Sequence, residues 1–184
     1  AGDCAMLERL SSEYGYRYFV VDKERDEEGK IISSTYIREM LADGNIIKAN
    51  KLLGYYYFVT GTVQHGNAIG HTKLYPTANL IPSAVKHLPK FGVYVTRVTV
   101  DGKTYGGLTN VGAKPTISGE NPVGVETYLY NFEGDLYGKD MKVELLDFVR
   151  PEMKFESIDA LKAQLDHDIK ECQRRYLELS LIHI

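Results

Sequence analysis

The spacing of apolar residues divides the chain near residue 55, with mixed elements before that point and strands after it. Residues 4–13 carry leucines at helical spacing, which predicts a helix that ends at Gly15. Residues 16–22 (YRYFVVD) form a short apolar run that is typical of a buried strand, and residues 31–32 indicate a second short strand. The chain is therefore predicted to begin as an α/β segment.

Two more helices are predicted between this segment and residue 55. Residues 33–35 (SST) place hydroxyl groups at the N-terminus of the first, and an Asp-Gly pair at 43–44 marks its end. Asn45 is expected to cap the second helix, which Gly54 closes. A segment of this length is too short to be a doubly wound nucleotide-binding domain by itself.

Short strands separated by turn signals follow from residue 55 onward. The predicted strands are residues 55–64, 91–100, 103–111, 125–132 and 142–149, and residues 75–80 are a candidate sixth. An Asp-Gly pair at 101–102 indicates a tight turn, and residues 112–124 are a long loop rich in proline and glycine. Because no helices intervene, we expect a closed antiparallel barrel, which also hides its edge strands.

A final helix is predicted over residues 157–179, with Ser157 as its cap. Its apolar residues recur at intervals of three or four and form one stripe: Ile158, Leu161, Leu165, Ile169, Cys172 and Tyr176. We expect this stripe to pack on the barrel rather than to form an oligomer. Cys172 is then a core residue and not a reactive thiol.

Composition and charge narrow the possible functions. The 184 residues are 43% hydrophobic and carry a formal net charge of −3, which argues against nucleic acid as a partner and against an RNA-binding barrel. Cys4 and Cys172 are far apart and indicate neither a disulfide framework nor a zinc site, so a cytoplasmic location is expected. The sequence holds no apolar run long enough to span a membrane, so no membrane partner is expected.

The most distinctive chemistry lies in residues 61–80 (GTVQHGNAIGHTKLYPTANL). Glycines such as Gly66 and Gly70 let the backbone approach phosphate oxygens closely. Thr77 and Asn79 are two residues apart, so on an extended chain their side chains point to the same face. Their oxygens suit Mg²⁺, which needs few protein ligands when nucleotide phosphates complete its shell. A glycine-rich hairpin with a Pro-led turn is the structural alternative.

These residues and five further motifs resemble, in the same order, the riboflavin kinases found in the C-terminal half of bacterial bifunctional riboflavin kinase/FAD synthetases. The matching segments are residues 61–80, 92–94 (GVY), 109–116 (TNVGAKPT), 125–127 (VET), 135–138 (DLYG) and 150–155 (RPEMKF). Residues 32–38 (ISSTYIR) resemble a motif late in the adenylyltransferase domain of the same enzymes.

The resemblance implies a mainly β protein with a closed, six-stranded riboflavin-kinase-like barrel and a long C-terminal helix. It places a remnant of the FMN adenylyltransferase domain, a short α/β fragment, at residues 1–54 and the kinase domain at residues 55–180. Residues 181–184 are expected to be a vector-derived tail. The fragment is expected to lack FMN adenylylation, because the family's upstream histidine motif is missing, and to dock with the missing N-terminal half.

The resemblance also implies Mg²⁺-dependent transfer of the ATP γ-phosphoryl group to riboflavin, which yields FMN. By motif match, the resemblance implies ATP contacts for Gly66, Gly70, His71, Leu129 and Tyr137, and flavin contacts for Tyr75, Arg150, Met153 and Phe155. It implies that Thr77 and Asn79 bind Mg²⁺ and that Glu126 is the general base. Ser33, Ser34, Thr35 and Arg38 would be the remnant of an ATP-binding motif. Thr77, Asn79 and Glu126 are expected to converge on one cleft.

Several of these residues have structural alternatives. Glu126 is alternatively a barrel-face residue paired with a cation, Arg150 a surface ion-pair partner and Tyr137 a turn-packing residue, while the hydroxyls of residues 33–35 alternatively only cap a helix. The chain also departs from the family pattern, with His71 in place of a more basic residue and Leu74 in place of glycine. The alternative function is a non-catalytic barrel that binds flavin or nucleotide.

Overall fold

The computed structural model describes residues 3–64, 75–113 and 123–181. The chain forms two compact units, Ala1–Ser33 and Ser34–Ile184. In chain order the elements are α1 (Cys4–Tyr14), α2 (Ser34–Asp43), α3 (Ile46–Leu53), β1 (Phe58–Thr62), β2 (Ala78–Leu80), β3 (Gly92–Val100), β4 (Lys103–Ala113), β5 (Val123–Leu129), β6 (Asp140–Pro151) and α4 (Ile158–Leu181).

The first unit contains α1 as predicted, with Gly15 in the left-handed conformation just after its end. The predicted strand at residues 16–22 is wrong, because this run has no ladder of strand hydrogen bonds and its apolar residues Phe19 and Val21 are 78% and 86% exposed. Residues 31–32 contribute only a single bridge, from Ile31 to Arg25. Within residues 3–33, therefore, the structure has a helix without a sheet, since a strand forms only where another strand pairs with it.

Helices α2 and α3 form as predicted, and the larger unit includes them. The Asn45 side chain accepts a hydrogen bond from the Lys48 amide at 3.3 Å, and Gly54 ends α3 with φ of 74°. Buried Asn50 joins α3 to the barrel, since it accepts from the Tyr57 amide at 2.7 Å and donates to the Leu145 carbonyl at 2.8 Å. The compact unit thus begins before the predicted domain boundary at residue 55.

The six strands form one antiparallel sheet in the order β1-β6-β3-β4-β5-β2. The sheet curls until its edges meet at a bridge in which the Gln64 amide donates to the Asn79 carbonyl at 2.9 Å. Two register shifts between β3 and β6 mark bulges, which bend a strand and increase its twist. The predicted tight turn is also present, with positive φ at both Asp101 and Gly102. The predicted barrel, including its short sixth strand, is confirmed.

Alternate residues of each strand fill the barrel interior. Its fully buried apolar side chains include Tyr94, Val98, Val111, Val125, Val143 and Leu145. Three threonines lie among them, and the Thr109 hydroxyl is 2.9 Å from the hydroxyls of both Thr96 and Thr127. The interior thus contains a hydrogen-bonded row of hydroxyls across β3, β4 and β5.

Helix α4 packs on the outer face of the barrel, where it covers parts of β3, β4 and β6. Cys172 is fully buried there, and burial raises the pKa of its thiol to about 12. Gly106 of β4 allows this close packing, because a Cβ atom at that position would lie 2.7 Å from the ring of Tyr176. The predicted helix is confirmed, and Ile169, Cys172 and Tyr176 of its stripe pack on the barrel, but Ile158 at its start is 49% exposed. Among the described residues, no helix has both the length and the apolarity needed to cross a membrane.

Candidate functional site

Three polar residues form a cross-strand row on the outer face of the barrel. Asn79 of β2 pairs with Glu126 of β5, and Glu126 pairs on its other side with Asn110 of β4. Direct cross-strand neighbours have Cβ atoms roughly 5 Å apart. The Glu126 side chain therefore lies between two carboxamides, on three adjacent strands.

The alternation of β5 explains why Glu126 faces outward. Val125 and Thr127 are fully buried on the inner face, whereas Glu126 is only partly buried and Tyr128 packs in the outer cluster beneath α4. Because successive side chains of a strand point to opposite faces, this pattern places Glu126 where a ligand can reach it. An inward carboxylate would instead need a buried cation.

A cleft of about 120 Å³ opens where the chain enters β2, and Asn79, Glu126 and Asn110 are not among the residues that line it. It is lined by Val63, Pro76, Thr77, Ala78, Leu129, Phe132, Gly134, Asp135, Leu136 and Tyr137. The structure thus brings together Leu129, Tyr137 and Thr77, three residues that were selected on separate motifs. Apolar walls with a few convergent polar groups are typical of small-molecule sites.

Thr77 lines the cleft, whereas Asn79 belongs to the polar row. Thr77 is exposed at the cleft, while Asn79 is only 6% exposed. The Asn79 Nδ2 atom donates a hydrogen bond to the Thr77 carbonyl oxygen at 3.5 Å. Asn79 and Glu126 are direct strand partners. Of the three residues expected to converge on one cleft, only Thr77 lines this cleft, so that convergence stays a prediction.

Tyr75 is held against α4. Its hydroxyl donates a hydrogen bond to the Asp166 carboxylate, and its ring packs on Tyr128 with centroids 5.3 Å apart. The hydrogen bond to Asp166, together with desolvation, raises the pKa of the Tyr75 phenol. Asp166 had no predicted role, because no spacing in the sequence links it to a residue so distant along the chain.

Arg150 forms an ion pair, as its alternative structural role predicts, but the partner is buried and not on the surface. Its Nε and a terminal nitrogen lie 2.9 and 2.6 Å from Oδ2 of Asp168, whose side chain is 1% exposed. Gln164 donates to the same carboxylate at 2.8 Å. Arg150 therefore fastens β6 to α4, and removal of one partner from such a buried pair is costly.

The remaining flavin-side residues follow β6. The Phe155 ring centre is 6.0 Å from the Arg150 guanidinium carbon, and Met153 is 50% exposed. Glu152 lies directly over Gly112, because a Cβ atom on Gly112 would fall 1.9 Å from its carboxylate oxygen. Both residues lie in segments that match the family, but neither has a predicted role. Their contact is visible only in the folded chain.

The other predicted site residues are distributed as follows. Gly66, Gly70 and His71 lie outside the described residues. In the remnant ATP motif, Ser33 ends the first compact unit, while Ser34 and Thr35 are exposed in the first turn of α2 and Arg38 is exposed further along that helix.

The chain thus folds as an antiparallel barrel with a small cleft of mixed apolar and polar residues, an architecture that can accommodate a small-molecule ligand. The chain belongs to the riboflavin kinase family, because the family model described as "Flavokinase: Riboflavin kinase" matches residues 53–176.

Curated relatives agree with this family. The chain is 36% identical over 160 residues to a Listeria monocytogenes protein and 35% identical over 178 residues to a Bacillus subtilis protein, both named bifunctional riboflavin kinase/FMN adenylyltransferase. These matches cover 87% and 96% of this chain but 51% and 52% of the relatives. The chain therefore spans about half the length of these curated relatives.

A solved structure is also similar. It comes from Streptococcus pneumoniae, is titled as a macrolide-efflux protein, and matches with a TM-score of 0.77 and 40% sequence identity. The match covers 91% of this chain and 54% of that one.

Proposed function

We propose that this chain carries riboflavin kinase activity, with transfer of the γ-phosphoryl group of ATP to the terminal ribityl hydroxyl of riboflavin to give FMN and ADP. The observation that carries the proposal is the cross-strand row of Asn79, Glu126 and Asn110, in which the strand of Asn79 continues directly from the cleft residue Thr77. Family membership and the names of the curated relatives support the same reaction.

Glu126 acts as the general base in this proposal. As the ribityl oxygen forms its bond to the γ-phosphorus, its O–H bond breaks and the proton passes to the Glu126 carboxylate. The bond from the γ-phosphorus to the β,γ-bridging oxygen breaks, and ADP leaves with that electron pair. The flanking carboxamides of Asn79 and Asn110 orient the carboxylate, since cross-strand neighbours restrict its motion.

Thr77 and Asn79 are the proposed Mg²⁺ ligands. They present a hydroxyl and an amide oxygen, which are hard donors, at the junction of the cleft and the polar row. Thr77 and Asn79 would hold a magnesium ion there, which would supply positive charge to offset the negative charge of the transferring phosphates. The two side chains fit a site that is completed by phosphate oxygens and water.

The two substrates are proposed to approach from opposite sides of Glu126. The nucleotide is proposed to bind in the cleft lined by Leu129 and Tyr137. The predicted phosphate contacts, Gly66, Gly70 and His71, shortly precede the cleft residue Thr77 in the sequence. Tyr75, Arg150, Met153 and Phe155 remain the flavin-side candidates. Cross-strand pairing leads from Glu126 through β4 and β3 to Arg150, a path of three strand spacings or about 14 Å.

The segment before the barrel remains a proposed piece of an adenylyltransferase domain. Helix α2 begins at Ser34, so the hydroxyls of residues 33–35 lie where a helix N-terminus favours phosphate. We expect no FMN adenylylation by this fragment, docking of residues 1–54 with the missing N-terminal half, and a cytoplasmic location.

Chromatography of riboflavin incubated with ATP and Mg²⁺ tests the proposal. The unaltered chain should form FMN, and Glu126→Gln should lower kcat about 10²–10⁴-fold while ATP binding is retained, because a positioned base contributes that much. Glu133→Gln, an exposed turn residue, is the matched control.

Two results would contradict the mechanism in different ways. Full turnover by Glu126→Gln would remove this residue from the reaction. Riboflavin or ATP binding without FMN formation by the unaltered chain would favour the non-catalytic barrel, for which the departures at His71 and Leu74 are the supporting observation.

A further inference from the structure

The strand that carries the proposed metal ligands is short and lies at the seam of the barrel. β2 has three residues, Ala78–Leu80, and pairs along its length only with β5. On its other side the described link is the single bridge between Asn79 and Gln64. Thr77 precedes the ladder altogether, so strand pairing does not fix its backbone.

Tyr75 supplies a second attachment, just before Thr77. Its hydroxyl donates to Asp166 on α4, and its half-buried ring packs at a tilt of 59° on Tyr128 of β5. Tyr75 is two residues from Thr77 and four from Asn79. The contact with α4 therefore sets the direction from which the chain enters β2.

Helix α4, to which Tyr75 is attached, is itself held against the barrel by buried contacts. One turn carries both Asp166 and the buried Asp168, which Arg150 and Gln164 hold by hydrogen bonds of 2.6–3.1 Å. Further along the helix, Cys172 is fully buried against the barrel. Because Asp166 lies on this well-packed helix, its hydrogen bond holds the Tyr75 side chain in a defined position.

We propose that Asp166 is a positioning residue for the metal-ligand pair Thr77 and Asn79, and that it acts through the Tyr75 hydroxyl. This inference rests on the proposed function. Loss of the contact should leave the chemistry of Glu126 intact but allow Thr77 to take several positions, so the metal binds less tightly.

Asp166→Ala and Tyr75→Phe test the contact from its two ends. Each should raise the Mg²⁺ concentration for half-maximal activity about 5–30-fold, which corresponds to a loss of about one or two kcal/mol of metal-binding free energy. In Asp166→Ala, where no proposed substrate contact is altered, kcat at saturating Mg²⁺ should stay within about threefold. The double variant should equal either single variant, because both remove the same bond. Asp166→Asn keeps a neutral acceptor and should recover part of the effect.

Amide hydrogen exchange supplies a readout independent of turnover. Exchange of the segment 75–80 should become faster in Asp166→Ala and Tyr75→Phe than in the unaltered chain. Asp159→Ala, an exposed acid on the same helix, and Tyr14→Phe, an exposed phenol, are the matched controls and should change neither exchange nor Mg²⁺ dependence.

The outcomes separate this inference from the proposed function. Unchanged Mg²⁺ dependence in both variants overturns it even if exchange becomes faster, since the contact would then be purely structural. Absence of FMN formation by the unaltered chain would instead refute the proposed function. The Mg²⁺ dependence of the variants and of the unaltered chain would then be compared through ADP binding, measured by calorimetry. If Asp166→Ala fails to fold, Tyr75→Phe, which keeps the ring packing, decides the outcome.

Discussion

Thr109 is the middle member of the hydroxyl row inside the barrel, and its replacement by valine should destabilise the fold. Its hydroxyl is 2.9 Å from those of Thr96 and Thr127, and all three residues are fully buried. The backbone is adapted to this row, because a Cβ atom on Gly107 would come within 3.1 Å of the Thr96 hydroxyl. Thr109→Val keeps the shape of the side chain but removes both bonds.

The expected magnitudes follow from the number of hydroxyls left without a partner. A buried polar group that loses its partner costs about 1–3 kcal/mol, so Thr109→Val should lower the free energy of unfolding by about 2–4 kcal/mol. Thr96→Val or Thr127→Val should cost about 1 kcal/mol, since Thr109 keeps its other bond. The triple valine variant removes every hydroxyl together, which can be nearly neutral, so it should be at least about 1 kcal/mol more stable than Thr109→Val.

Urea unfolding, followed by circular dichroism, measures these differences, and each kcal/mol should also shift Tm by about 2–4 °C for a chain of this size. Thr60→Val, on the exposed face of β1, controls for the strand preference of valine. The reasoning is refuted if the triple variant loses the sum of the three single effects. In that case the hydroxyls would bond independently of one another.

Two further perturbations test the packing and electrostatics of the barrel exterior. Gly106→Ala should lower the free energy of unfolding, measured in urea, by about 1–3 kcal/mol, because the new methyl group collides with Tyr176. Adding Tyr176→Leu should restore part of this stability. An unchanged stability of the single variant would show that α4 packs less closely than the structure indicates. Burial raises the pKa of the Glu144 carboxyl, but hydrogen bonds from Arg97 and Lys142 outweigh it and hold the pKa below its ordinary value of 4.5. This stabilisation is therefore present above about pH 4.5 and lost as pH falls through the folded-state pKa. Glu144→Gln should cost about 1–2 kcal/mol at pH 7, allowing for solvent screening of the two cations, and the difference from the unaltered chain should shrink in acid; a pH-independent difference would contradict this.

Much of the site could be selected from sequence because its residues belong to local motifs. Residues 76–79 (PTAN) contain both proposed metal ligands, and the two-residue spacing predicts one shared face for Thr77 and Asn79. The carboxylate at Glu126 was selected on a different motif. That Asn79 and Glu126 are direct partners depends on the register of β2 against β5, which no local pattern specifies.

Contacts with α4 were beyond sequence reasoning. Tyr75 was selected as a flavin contact, and the structure adds its hydrogen bond to Asp166. Arg150 was selected with an ion pair as the alternative, and the structure identifies Asp168 as the partner. Both acids lie on a helix whose apolar stripe predicted which face packs, but not which strand residues its polar edge would meet.

The sequence by itself determined the helices with their caps, the strands of the barrel and the buried face of α4, because periodicity and end signals act over a few neighbouring residues. It failed at residues 16–22, where an apolar run resembles a strand but no described residue from 3 to 33 forms a strand with it. Only the tertiary structure decided the closure at Gln64 and Asn79, the pairing of Asn79 with Glu126 and the contact of Tyr75 with Asp166. Each joins residues far apart in the chain, and only the curvature and register of the whole sheet bring them together.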